Sequence, residues 1–166
     1  MRRLFSVLLC FIILISTYSL TASAATMEDQ STYPNNEILI SQEIKELSDG
    51  TSLVITVSQL PNTSRAVKSV SGTKTYSGRN GDGVIMWQFK VHGTFSVNSG
   101  VSATCTAVSH SYSLPDDDWN YVEGSSYKTG NKAIGHGKFN RKILFVTVET
   151  KECDVILSCD VNGNLS

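Results

Sequence analysis

Few residues in this chain have the type and spacing that chemistry requires. The three histidines, His92, His110 and His136, stand apart from one another. His136, between Gly135 and Gly137, has two readings. One is a general base with room for a substrate beside it; the other is an exposed side chain on a glycine-kinked strand. The second is preferred, because general-base catalysis needs positioned partners and the sequence identifies none. Asp116-Asp117-Asp118 could offer carboxylates to Ca²⁺. Three consecutive side chains do not converge easily on one ion, however, and the alternating Asp spacing and ordering glycine of a calcium loop are missing. The run reads as a polar turn, as does Asn80-Gly81-Asp82-Gly83. Glu149 and Glu152 are close enough in sequence to suggest a glycosidase pair, but an odd separation on a strand puts them on opposite faces. No Gly-x-Ser-x-Gly elbow, P-loop, dinucleotide fingerprint, Cys-x-x-Cys or His-Glu-x-x-His is present. The expectation is a protein with no catalytic residues, no metal and no cofactor, and so not an enzyme.

Aromatic and sulfur chemistry is what remains. Trp87, Tyr112, Trp119, Tyr121 and Tyr127 are numerous enough to build a platform that stacks on sugar rings. Trp87 alternates with Ile85, Phe89 and Val91 and is assigned to the core. Trp119 follows the acidic turn, and Tyr121 shares its face at i+2, so these two are the candidate ligand-stacking residues. Three cysteines follow the leader described below: Cys105, Cys153 and Cys159. Cys153 and Cys159 lie six apart on one strand, about 20 Å, which no disulfide spans. Cys105 must then pair with one of them. Cys159 is favoured because both it and Cys105 lie near strand ends, and the fate of Cys153 stays open. A bridge closing a loop of about 55 residues would contribute roughly 4 kcal/mol in the chain-entropy model.

The elements that would position these groups begin after residue 24. Arg2 and Arg3, the apolar run Leu4 to Ile15, and Ala22-Ser23-Ala24 form a secretory leader with cleavage expected after Ala24. The run is too short to span a bilayer. Cys10 lies in mid-run after Leu9, not at a lipid-modification site. Loss of Arg2 and Arg3 leaves 12 Lys and Arg against 15 Asp and Glu, a net charge of −3. That balance argues against nucleic acid, which needs a concentrated basic surface. No second apolar segment reaches membrane-spanning length, so no membrane insertion of the mature chain is expected. Two Asn-x-Ser/Thr sites, at Asn62 and Asn164, would matter only in a eukaryotic pathway.

Residues 25–36 are polar without periodicity and read as disordered. Residues 37–60 read as a hairpin around Ser48-Asp49-Gly50, although Leu39, Ile40, Ile44 and Leu47 also fit a helical face. Residues 61–71 read as a linker. From Gly72 the pattern becomes dense alternation: strands at Thr73–Ser77, Val84–Val97, Val101–Leu114, Trp119–Lys128, Lys132–Thr150 and Lys151–Val161, with turn residues between them. The expected fold is all-β, an antiparallel β-sandwich of Ig-like or jelly-roll topology over residues 72–166.

Gly72-Thr73-Lys74-Thr75-Tyr76, Trp87, Gly93-Thr94-Phe95, Ala103-Thr104-Cys105-Thr106, Gly130-Asn131-Lys132-Ala133 and Ser158-Cys159-Asp160 through Ser166 carry a resemblance. The stretch resembles an uncharacterised family of small secreted β-sandwich proteins of Gram-positive gut bacteria. The resemblance implies an extracellular β-sandwich and no particular activity. The expected function is a secreted, non-catalytic binding or interaction module with an extracellular glycan or protein ligand. Two alternatives are a bacteriocin-like or toxin-like effector with a detachable 25–71 segment, and a hydrolase in which His136 or an Asp of 116–118 meets a partner in a pocket.

Overall fold

The structure, a computed structural model, describes residues 36–61 and 67–166. The expected leader (1–24), residues 25–35 of the expected disordered stretch and residues 62–66 of the expected linker lie outside the described residues. The described chain is all-β and antiparallel, in two sheets. The first holds β1 (Ile38–Glu46), β2 (Ser52–Gln59), β3 (Val67–Arg79), β4 (Ile85–Asn98) and β5 (Ser102–Ser113) in that order. The second holds β6 (Trp119–Thr129), β7 (Lys132–Ile143) and β8 (Val146–Ser158). β6 packs on β5, β7 on β4 and β5, and β8 on β3 and β4, and among the described residues β1 is in substantial contact with β2 alone.

The sandwich is the one expected, but its connectivity is simpler. Ig-like and jelly-roll folds need Greek-key crossings. Here every strand pairs with its neighbour in sequence, and among the described residues the chain passes between sheets once, through Leu114–Asp118. Two boundaries also move. The expected linker 61–71 is strand from Val67 onward. Hairpin 37–60 is no separate element, because β2 pairs with β3 from Ser52↔Arg79 to Gln59↔Gly72. The reason lies in Val70: it is fully buried in the core, so the strand must start before Gly72.

The core follows from the alternation of β4. Trp87, Phe89, Val91, Phe95 and Val97 point inward, opposite Trp119, Ala133, Phe139, Val155 and Leu157. Trp87 stacks on Phe139 with ring centroids 4.9 Å apart. The sheets approach so closely at β7 that a Cβ on Gly135 would meet Val91 Cγ2 at 2.4 Å, and one on Gly137 would meet Phe89 Cδ2 at 2.7 Å. These glycines admit the core side chains of β4; they open no space for a substrate beside His136. The side of the sandwich at β5 and β6 is stitched by the Cys105 amide donating to the Gly130 carbonyl (2.8 Å), and by His110, whose ring lies over Phe89 and bonds Ser126 Oγ at 3.0 Å.

Candidate functional site

The expected stacking residues lie in the interior. Trp119 is 2% exposed and belongs to the core cluster. Tyr121 is half-buried, stacked on Tyr112 at 3.8 Å and packed against Phe139 at 5.7 Å. The two do share a face, as their spacing requires, but that face is the inner one. The aromatic that β6 presents to solvent is Tyr127, 56% exposed. The switch is made by a bulge. Tyr121 pairs with Phe139 and Glu123 pairs with Lys138, so Val122 is an extra residue. One extra residue inverts which parity faces out. Tyr121 and Tyr127 would otherwise share a face.

Tyr127 belongs to the outer face of β6–β8, where the register sets side chains in rows. Tyr127, Ile134 and Ile156 form one row across the three strands. The next row is Ser125, His136 and Asp154, and the one beyond is Glu123, Lys138 and Glu152. On the other side of the apolar row lie Thr129, Lys132 and Ser158. His136 Nδ1 bonds Asp154 Oδ1 at 2.9 Å. Lys138 Nζ meets Glu152 Oε1 at 2.8 Å. This contact raises the Lys138 pKa and lowers that of Glu152, in both cases first through the hydrogen bond and then through opposite charge. The result is an apolar strip with an aromatic ring, flanked on both sides by hydrogen-bonding and charged groups.

His136 has gained the carboxylate partner that the sequence could not identify, because the two are cross-strand neighbours 18 residues apart. The Asp154 side chain is 77% exposed, however, and no hydrogen bond joins Ser125 to His136. The other histidines are also partnered. His110 holds β5 to β6, and His92 stands in a row with Thr73 (2.9 Å) and Ser111 (3.1 Å) on the outer face of the five-stranded sheet. Asp116 closes its own turn by accepting from the Asp118 amide at 2.9 Å, and Asp118 lies 3.6 Å from Arg141. Among the described residues no group of three or more His, Cys, Asp or Glu could hold a metal ion.

The expected Cys105–Cys159 disulfide is not formed, and Cys105, Cys153 and Cys159 are all free and buried. The β6–β7 turn intervenes. Cys105 N donates to Gly130 O and Cys159 N to Asn131 O (3.0 Å), so each cysteine strand binds the turn rather than the other strand. Burial pushes the Cys153 thiol up to about 12 and the Cys159 thiol up to about 11, which keeps both protonated at neutral pH.

A second feature carries no signal in the sequence. Residues 132–150, expected as one long strand region, are folded back at Leu144-Phe145 between Ile143 and Val146. Both turn residues have positive φ (47° and 71°), the pattern of a type I′ hairpin that favours Asn-Gly. Phe145 is 100% exposed. The chain matches no family model, and no curated protein and no solved structure matches it.

Proposed function

We propose that this chain is exported and acts outside the cell as a non-catalytic binding module, with the outer face of β6–β8 as its contact surface and a glycan chain as its ligand. The observation that carries this reading is the exposed Tyr127 ring in line with Ile134 and Ile156, between hydrogen-bonding rows. A sugar ring has an apolar face and a rim of hydroxyls. The strip offers a surface for the first, and Ser125, His136, Asp154, Lys132 and Thr129 offer donors and acceptors for the second. Export is supported by the leader pattern of Arg2 to Ala24.

The test is binding of the purified mature protein to an array of cell-surface and plant polysaccharides. Tyr127→Ala should weaken capture at least tenfold, while Thr75→Ala on the opposite outer face leaves it unchanged. Equal capture by both variants would remove the face from consideration.

The effector alternative has less support, since detaching residues 25–71 would remove β1, β2 and the buried Val70 from the sheet. The hydrolase alternative rests on the Ser125–His136–Asp154 row. Its test is turnover of small acetyl and sugar esters that disappears in His136→Ala.

A further inference from the structure

Among the described residues β1 is the least satisfied element. It pairs with β2 on one edge, and all nine of its residues are exposed. Ile38, Leu39, Ile40 and Ile44 face solvent, with Ile44 57% exposed, and Leu47 follows directly. A long edge of this kind offers unpaired amides and carbonyls beside uncovered apolar side chains, which is a template for another strand.

We propose that a second copy of this chain occupies that edge, β1 against β1′ in antiparallel register centred on Ile44. Pairing about a two-fold axis sets residue i opposite residue j with i + j constant. Only even sums put residues with the same hydrogen-bonding direction and the same face opposite each other. The bulge between Leu39 and Ser41 restricts regular pairing to the stretch from Ser41 onward. Centring on Glu43 would oppose Glu43 to Glu43′, which like charge disfavours. Centring on Gln42 or Ser41 carries the ladder into the bulge. Centring on Ile44 opposes Ile44 to Ile44′ and Glu43 to Lys45′ twice over. Within each copy Lys45 Nζ already lies 3.5 Å from Glu43 Oε1. The dimer therefore gathers four alternating charges on one face and two isoleucines on the other. It also gives a glycan-binding module two contact surfaces, which raises avidity for a repeating ligand without any new contact.

The experiment uses the mature protein. Light scattering across a concentration series up to about 200 µM should show a mass moving from monomer to dimer, the weak association expected of an interface below the standard size. Glu43→Lys and Lys45→Glu should each shift the midpoint at least tenfold upward, and the double variant should bring it back. Ile44→Cys should oxidise to a covalent dimer much faster than Gln42→Cys, whose symmetry mates lie roughly 13 Å apart along the ladder. A monomer at every concentration overturns the proposal. So does a dimer indifferent to both charge reversals, and so does equal cross-linking of the two cysteine variants. A monomer with residues 41–47 protected from amide exchange would assign the edge to another part of the same chain, and also overturns it.

Discussion

On the outer face of β3, β4 and β5 most side chains are short and hydroxylic, with Gln88 and Lys90 the long exceptions: Ser71, Thr73, Thr75 and Ser77, then Gln88, Lys90, His92, Thr94 and Ser96, then Ser109, Ser111 and Ser113. They bind one another, Ser71 to Thr94 at 3.1 Å and Gln88 to Ser77 at 3.0 Å. A longer row starts at Glu37, which accepts from Ser58 and from Thr73 Oγ1 (3.0 Å), and continues through His92 to Ser111. The outer face of β6–β8 is built on the same alternation and carries the opposite chemistry, with long charged side chains in ladders and an aromatic strip between them. Both faces pair polar groups within themselves, but only the second sets an uncovered apolar strip between its pairs. A ligand meeting the first must displace hydrogen bonds already made, while a ligand meeting the second finds apolar area uncovered. This difference is what favours the smaller sheet as the proposed contact surface.

The contrast depends on the β6 bulge, and a slip of the strand beside it should have the largest effect. Deleting Ser126, a paired residue, has two outcomes. With the bulge kept, Tyr127 turns inward; with the bulge consumed, Val122 pairs with Lys138 and Glu123 moves to an inner position. Destabilisation should exceed about 5 kcal/mol, the range of the most severe single changes. Circular dichroism and heat denaturation should find little or no folded protein. A deletion variant that melts normally would mean that the bulge does not set the faces.

The next largest effect separates the inner aromatic from the outer one. Trp119→Ala should cost about 3–5 kcal/mol by urea denaturation, as truncation of a large core side chain does. Tyr127→Ala should stay within about 0.5 kcal/mol of the parent. Equal costs would place both rings in the same environment and erase the distinction between the faces.

That pair of residues also measures what was legible in the sequence. The alternation of Ile85 to Val97 identified the inner face of β4, and with it the burial of Trp87, because a period of two is a local property. The burial of Trp119 has no local signal, because an acidic neighbour, Asp118, says nothing about the far side of the strand. The outward face of Tyr127 has none either, because a bulge is visible only in the partner strand's register. The hairpin at Leu144-Phe145 is hidden because its turn residues are apolar where turns ordinarily carry Asn and Gly. The pairing of His136 with Asp154 depends on which strands lie side by side, which no local pattern encodes.

The β7–β8 hairpin gives a change of opposite sign. Leu144 and Phe145 sit at positive φ, a conformation that costs a side-chain-bearing residue about 1–2 kcal/mol. Their side chains are almost wholly exposed, so replacing them forfeits little burial. The double variant Leu144→Asn/Phe145→Gly should be more stable than the parent by about 2 kcal/mol in urea denaturation. Loss of stability would show that this tip is packed against something in solution. Retained glycan capture by the stabilised variant would confine binding to the strand face and exclude the tip.

The smallest effect belongs to the quieter face. Burial is the main cause that lowers the His92 pKa from its ordinary value, with Lys90 acting in the same direction and Glu37 opposing both. The folded protein therefore resists protonating His92 at a pH where the unfolded chain accepts the proton. Stability rises with pH wherever the unfolded state binds more protons. The His92 contribution is then fully present above the unfolded pKa, about 6.5. It is lost as pH falls from there through the lower folded value. Melting temperature between pH 7.5 and 5 should fall in the parent and fall less in His92→Gln. Identical profiles for the two would mean that the row from Glu37 to Ser111 accommodates the charged ring.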